Sequence, residues 1–119
     1  MRSAPNPAPK AGAEPYQERE EPVAALIPRI AHHDPDLARQ LRRSSTSVVL
    51  NVAEGMSALG RSKTAAYNVA LREMRESRAA LDVSLRLGYV PALGTALEDR
   101  MQRILATLYR LSFPRGTAR

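Results

Sequence analysis

The 119-residue chain contains no cysteine and no tryptophan, one phenylalanine and two lysines. The missing thiols exclude disulfide frameworks, thiolate zinc sites and cysteine nucleophiles. No apolar run approaches the roughly 18 to 20 residues needed to cross a bilayer, and the N-terminus lacks the apolar core of a signal peptide. The expectation is therefore a soluble, cytoplasmic protein with no membrane association. Strand-like alternation of Val, Ile, Thr and Tyr is nearly absent, and proline and glycine cluster outside the periodic segments, so an all-α domain is predicted. Aromatic residues make up 4% of the chain, which provides poorly for base stacking.

What is present is positive charge. The formal net charge is +6, and it is unevenly placed. Residues 1–21 carry three basic and four acidic side chains, and the remainder carries 15 basic against 8 acidic, net +7. A field of that sign favours polyanions, chiefly nucleic acid or an acidic protein face. Sixteen of the 18 basic residues are arginine, whose planar fork matches phosphate geometry.

Along the chain, the opening "MRSAPNPAPKAGAEP" cannot bury enough apolar surface to offset its ordering entropy. Residues 1–17 are expected to be a disordered Pro/Ala-rich tail, residues 18–114 the folded domain, and residues 115–119 a C-terminal tail. A first helix is predicted from Pro22 to His32, kinked or shortened at Pro28. Asp34-Pro35 reads as an N-cap and first-turn proline opening a second helix to about Ser57. Gly60 marks a break, and Ser62 is a candidate N-cap for a third helix running to Leu87. Gly88 is placed to end that helix in a left-handed cap. Thr95 and Glu98 have capping-box spacing and start a fourth helix, where Leu97, Met101, Ile104, Leu108 and Leu111 form a heptad-like seam. Four helices with short connections predict an antiparallel up-down four-helix bundle.

The stretch "QLRRSSTSVVLNVAEG", Gln40 to Gly55, is rich in residues with mediocre helix propensity. On a helical projection it nevertheless sorts cleanly. Leu37, Leu41, Val48, Val52 and Val49 share one arc and are predicted to face the core. Ser44, Ser47, Asn51 and Glu54 form a polar edge beside it, a seam at which a neighbouring helix or subunit approaches closely. Such groups cost about 1–3 kcal/mol each if buried unpaired, so the seam requires a polar partner. The third helix is apolar on two faces. One holds Tyr67, Ala70, Leu71, Met74, Leu81 and Leu85; the other holds Val69, Ala80 and Val83 with Glu76 in its middle. The second face, or the polar seam, is expected to meet another subunit.

Arg39, Arg42 and Arg43 are expected to be free of acidic partners at i,i+3 or i,i+4, which makes them the leading phosphate contacts. Arg72, Arg75 and Arg86 share an arc of the third helix and support them, although Arg72 with Glu76 and Asp82 with Arg86 have the i,i+4 spacing of helix-surface pairs. A catalytic reading is weak. Glu54 and Glu76 could form a carboxylate pair near Asn51, but no histidine or metal-ligand constellation accompanies them. His32 and His33, with Asp34 and Asp36, make only a faint metal motif. No enzyme activity, cofactor or metal is expected.

"DLARQLRRSSTSVVLNVAEG" (36–55) resembles the pattern Q-L-R-R-A-x-x-S-[IV]-x-x-N-[IV]-A-E-G. "ALREMRESRAALDVSLRLGYV" (70–90) resembles A-x-G-S-x-x-E-x-x-x-x-L-x-[IV]-x-x-x-L-G-[YF]-[IV]. Both patterns belong to bacterial four-helix-bundle proteins that include those encoded in 23S rRNA intervening sequences and the accessory variability proteins of diversity-generating retroelements. Gln40, Leu41, Arg42, Arg43, Ser47, Asn51, Glu54, Gly55, Glu76, Gly88 and Tyr89 match. The chain departs at Arg72 and Glu73, where the pattern has Gly-Ser, at Ser44, where it has alanine, and in carrying Pro28. The resemblance implies a ring-like homo-oligomer, commonly a pentamer. It also implies a basic surface that binds RNA or DNA in some members, and a reverse transcriptase as partner in the retroelement branch. A protein-interaction scaffold that docks a partner through the same basic surface, without binding bare nucleic acid, is the alternative.

Overall fold

The structure, a computed structural model, describes residues 22–114. The two expected tails at 1–17 and 115–119 lie outside the described residues. Within them the fold is all-α: α1 (Val23–His33), α2 (Pro35–Ser57), α3 (Gly60–Arg86) and α4 (Thr95–Ser112). Successive helices run antiparallel, with α2 packed between α1 and α3, and α4 packed on α3. The four-helix up-down bundle expected from the periodicity is the architecture observed.

The helix ends show which local signals act. Asp34 accepts a hydrogen bond from the Leu37 backbone N–H at 3.0 Å, satisfying one of the orphan donors of α2, and Pro35 occupies the first helical position. At the other end of α3, Gly88 has φ +78°. The Tyr89 N–H donates to the Ser84 carbonyl at 2.8 Å and the Gly88 N–H to Leu85 at 3.1 Å, which is a Schellman closure.

Two local expectations are corrected, and of the two effects expected of Pro28 the shortening is absent. Pro28 does not shorten α1, which runs through it as one 11-residue helix; the pyrrolidine lies on the exposed side. Ser62 is not a cap, because α3 already begins at Gly60, whose φ of +61° provides the turn. Thr95 and Glu98 form no capping box. Thr95 is the first residue of α4 and makes no side-chain cap bond, while Glu98 turns to Arg78 on α3 at 2.8 Å.

The core draws on all four helices: Leu26, Ile27 and Ile30 from α1, Leu41 and Val48 from α2, Tyr67, Ala70, Met74 and Leu81 from α3, and Leu97, Met101 and Leu108 from α4. The buried face of α2 is rotated from the expected stripe. Ala38, Leu41, Ser44, Val48 and Gly55 are buried, whereas Val49 is 66% exposed. Small residues set this rotation because α3 lies close against them. A Cβ placed on Gly55 would come within 2.6 Å of the Tyr67 ring, so any larger residue here must displace that buried ring. Lys63 closes the same corner, donating to the Gly55 carbonyl at 2.7 Å with its ammonium 5.5 Å from the Tyr67 ring centre. There it satisfies a carbonyl in the last turn of α2.

Candidate nucleic-acid interface and polar seam

The polar seam of α2 divides between interior and surface. Ser44 is fully buried, and its Oγ lies 2.6 Å from Ser77 Oγ of α3. Ser44 Oγ also lies 3.3 Å from the Leu41 carbonyl, and either hydroxyl can donate across the pair. The expected polar partner on α3 is thus Ser77, a residue the sequence reading passed over. A serine standing where the family pattern has alanine is matched by this second hydroxyl.

Ser47 and Asn51 instead satisfy one another along their own helix. Asn51 Nδ2 donates to the Ser47 carbonyl at 2.9 Å and to Ser47 Oγ at 3.1 Å. Glu54 is exposed. Glu76 lies beside Arg43, and Arg43 is eleven residues from Glu54, about 16 Å along α2 at the helical rise. The two carboxylates are therefore not brought together.

The six candidate arginines differ in what already holds them. Arg43 reaches across to α3 and donates to Glu76 at 2.6 Å and Glu73 at 3.4 Å. This raises its pKa above the ordinary guanidinium value, chiefly through the hydrogen bond to Glu76. Arg39 is bonded to Asp36, which stands three residues before it, so the expectation of no acidic partner at that spacing is corrected for Arg39; Arg43 has none within its own helix and finds its partners on α3.

On α3 the pairing is also not the one spacing suggested. Asp82 pairs with Arg78 at 3.3 Å rather than with Arg86, and Glu76 pairs with Arg43 rather than with Arg72. Arg42, Arg72, Arg75 and Arg86 are consequently exposed and have no acidic partner among the described residues.

Helical geometry separates these four. With Ser44 and Ser77 marking where α2 and α3 face each other, Arg72, Arg75 and Arg86 fall on the flank of α3 turned away from α2. Arg42 falls on the opposite flank, on α2. The predicted arginines form two edges of one hairpin, not a single patch.

Of the exposed apolar side chains, two groups bear on the faces of the α2–α3 hairpin. Between these flanks, on the α2–α3 face that bears Arg43, Glu73 and Glu76, Val83 is 42% exposed; Leu87, just past α3, is also exposed. On the other face, Val48, Val52 and Met56 of α2 oppose Ile104, Leu108 and Leu111 of α4 across a groove of about 500 Å³. Ile104 and Leu111, expected in the interior seam of α4, stand at its exposed rim.

Among the described residues no cluster of three or more histidine or acidic side chains could hold a metal ion. His33 instead stacks on Tyr89, ring centres 4.9 Å apart, and meets His32 edge to face. No helix of the described chain is long and apolar enough to cross a membrane.

Together these features define a small basic helical bundle in which the motif residues Leu41 and Gly55 serve helix packing and Gly88 serves helix closure. The family model described as 23S rRNA-intervening sequence protein matches residues 24–110, and the chain belongs to that family. No curated protein and no solved structure matches it.

Proposed function

We propose that this chain is a non-enzymatic, homo-oligomeric protein of the cytoplasm that binds RNA or DNA through phosphate contacts. The carrying observation is that four of the candidate arginines are exposed and have no acidic partner among the described residues: Arg72, Arg75 and Arg86 along one flank and Arg42 on the other. Guanidinium groups left unpaired in a chain of net charge +6 are free to replace counterions on a phosphate backbone. The family description, which refers to an intervening sequence of 23S rRNA, supports a nucleic-acid context. Assembly through the α2–α3 face would bury Val83 and Leu87 and repeat the arginine flanks around a ring, so that weak contacts add through avidity.

The test is fluorescence anisotropy with labelled RNA and DNA across a salt series. Replacing Arg72, Arg75 and Arg86 together by alanine is expected to flatten the salt dependence by about three phosphate contacts, while Arg39→Ala, which removes an already paired group, leaves affinity nearly unchanged. If neither nucleic acid binds at low salt, the reading fails. The second reading is then a scaffold that docks a protein, such as a reverse transcriptase in the retroelement branch. It is favoured by the same exposed Val83 and Leu87, and predicts a specific co-purifying partner.

A further inference from the structure

Arg61, in the first turn of α3, stands outside the six candidate arginines, yet it is exposed and has no acidic partner among the described residues. Helical steps of about 100° bring Asn68, Arg72, Arg75, Ala79 and Arg86 within about 40° of it, on one straight ridge. No acidic residue falls within that arc. Asp82 and Glu76, just beyond its two edges, are held by Arg78 at 3.3 Å and by Arg43 at 2.6 Å. Asn68 turns its amide back to the Thr64 carbonyl at 3.1 Å, and Ala79 carries only a methyl group, so guanidinium groups alone project from the ridge. It runs along the side of α3 roughly opposite Ser77, which faces α2, and about 90° from Arg78, which faces α4, by the same helical steps. The ridge is therefore convex outer surface of the bundle.

Arg61 and Arg86 are 25 residues apart, about 37 Å along the helix axis, and Arg72 and Arg75 lie midway between them. One turn of B-form duplex rises about 34–36 Å. Along any line parallel to the duplex axis, one strand returns once per turn and the other crosses in between. We propose that α3 lies lengthwise on double-stranded DNA, with Arg61 and Arg86 on successive passes of one strand and Arg72 with Arg75 on the strand between them. This placement rests on the nucleic-acid reading above and narrows it to a B-form duplex. A single strand has no such period, and the ridge offers it neither a concave groove nor a ring to stack on. Of the described rings, Tyr67 is buried and the others sit on α1, at α4 or past the end of α3. An RNA duplex presents a differently proportioned A-form surface, with a deep, narrow major groove.

The full chain is titrated by fluorescence anisotropy against a labelled DNA duplex of about two turns, its separate strands, and an RNA duplex of the same sequence, over a salt series. The DNA duplex is expected to bind roughly tenfold more tightly than either single strand and more tightly than the RNA duplex. Arg61→Ala is expected to lower the log–log salt slope on the DNA duplex by about 1, the loss of one phosphate contact. Arg61→Lys, which keeps the charge, is expected to keep the slope. On a DNA hairpin whose stem is about half a turn long, the two ends of the ridge cannot both be engaged, and Arg61→Ala is expected to change affinity less than twofold. Single strands or RNA duplex bound as tightly as the DNA duplex overturn the proposal and leave the wider nucleic-acid reading standing. An unchanged slope with Arg61→Ala, or a slope lost equally with Arg61→Lys, overturns it as well. Binding to none of the four overturns both. Arg61 is exposed at a helix end, and circular dichroism of both variants is expected to match that of the parent chain.

Discussion

Arg43 and Ser44 are neighbours on α2, and each reaches α3 through a contact of 2.6 Å. Their surroundings differ completely. The Arg43 side chain is 56% exposed, so water competes for both its charge and its partners, and ions screen what remains. Ser44 has no exposed surface, and an unpaired hydroxyl there has no water to turn to. One turn of helix thus carries a strong geometric ion pair of small thermodynamic weight beside a modest hydrogen bond of large weight. Distance alone does not rank them; the medium does.

The contrast can be broken in order of expected effect. Ser44→Leu inserts volume into a fully buried position against α3 and strands the Ser77 hydroxyl, and is expected to cost about 3 kcal/mol, read as a lowered urea midpoint. Ser44→Ala leaves only the stranded hydroxyl, a loss of about 1–2 kcal/mol, and adding Ser77→Ala should restore most of it because removing both partners is nearly neutral. A double variant as unstable as the sum of the singles would mean that packing, not the hydrogen bond, holds this crossing. Arg43→Met is expected to lower Tm least, and by an amount that shrinks as salt is raised. A loss matching that of Ser44→Ala, or one insensitive to salt, would erase the distinction between the two contacts.

Helix positions were largely legible before the structure, because their signals are local. Asp34-Pro35 and Gly88 mark ends by their own backbone and hydrogen-bonding requirements, and the structure places both as read. Thr95 with Glu98 has an equally local pattern yet forms no box, since Arg78 on α3 draws the Glu98 carboxylate away. The inward face of α2 was read too far toward Val49 for a related reason. Periodicity weights bulky apolar residues, whereas a close crossing is centred on small ones, here Ser44 and Gly55. The phosphate candidates suffered most. Spacing within one helix suggested that Arg72 and Arg86 were paired and Arg43 free, but Glu73 and Glu76 reach between helices, and the result is the reverse.

Asp34 is the only residue between α1 and α2. Its N–H closes the last turn of α1 on the Ile30 carbonyl at 2.7 Å, and its carboxylate opens α2 at Leu37. A residue that belongs to both helices at once fixes the phase of one against the other. Adding or deleting a single position there would turn α1 by about 100° and carry Leu26, Ile27 and Ile30 off the core, whereas the longer connection 87–94, although anchored in the core by Val90, leaves Pro91 to Gly94 to absorb the same change. Length variation in this chain is therefore tolerated at one joint and forbidden at another.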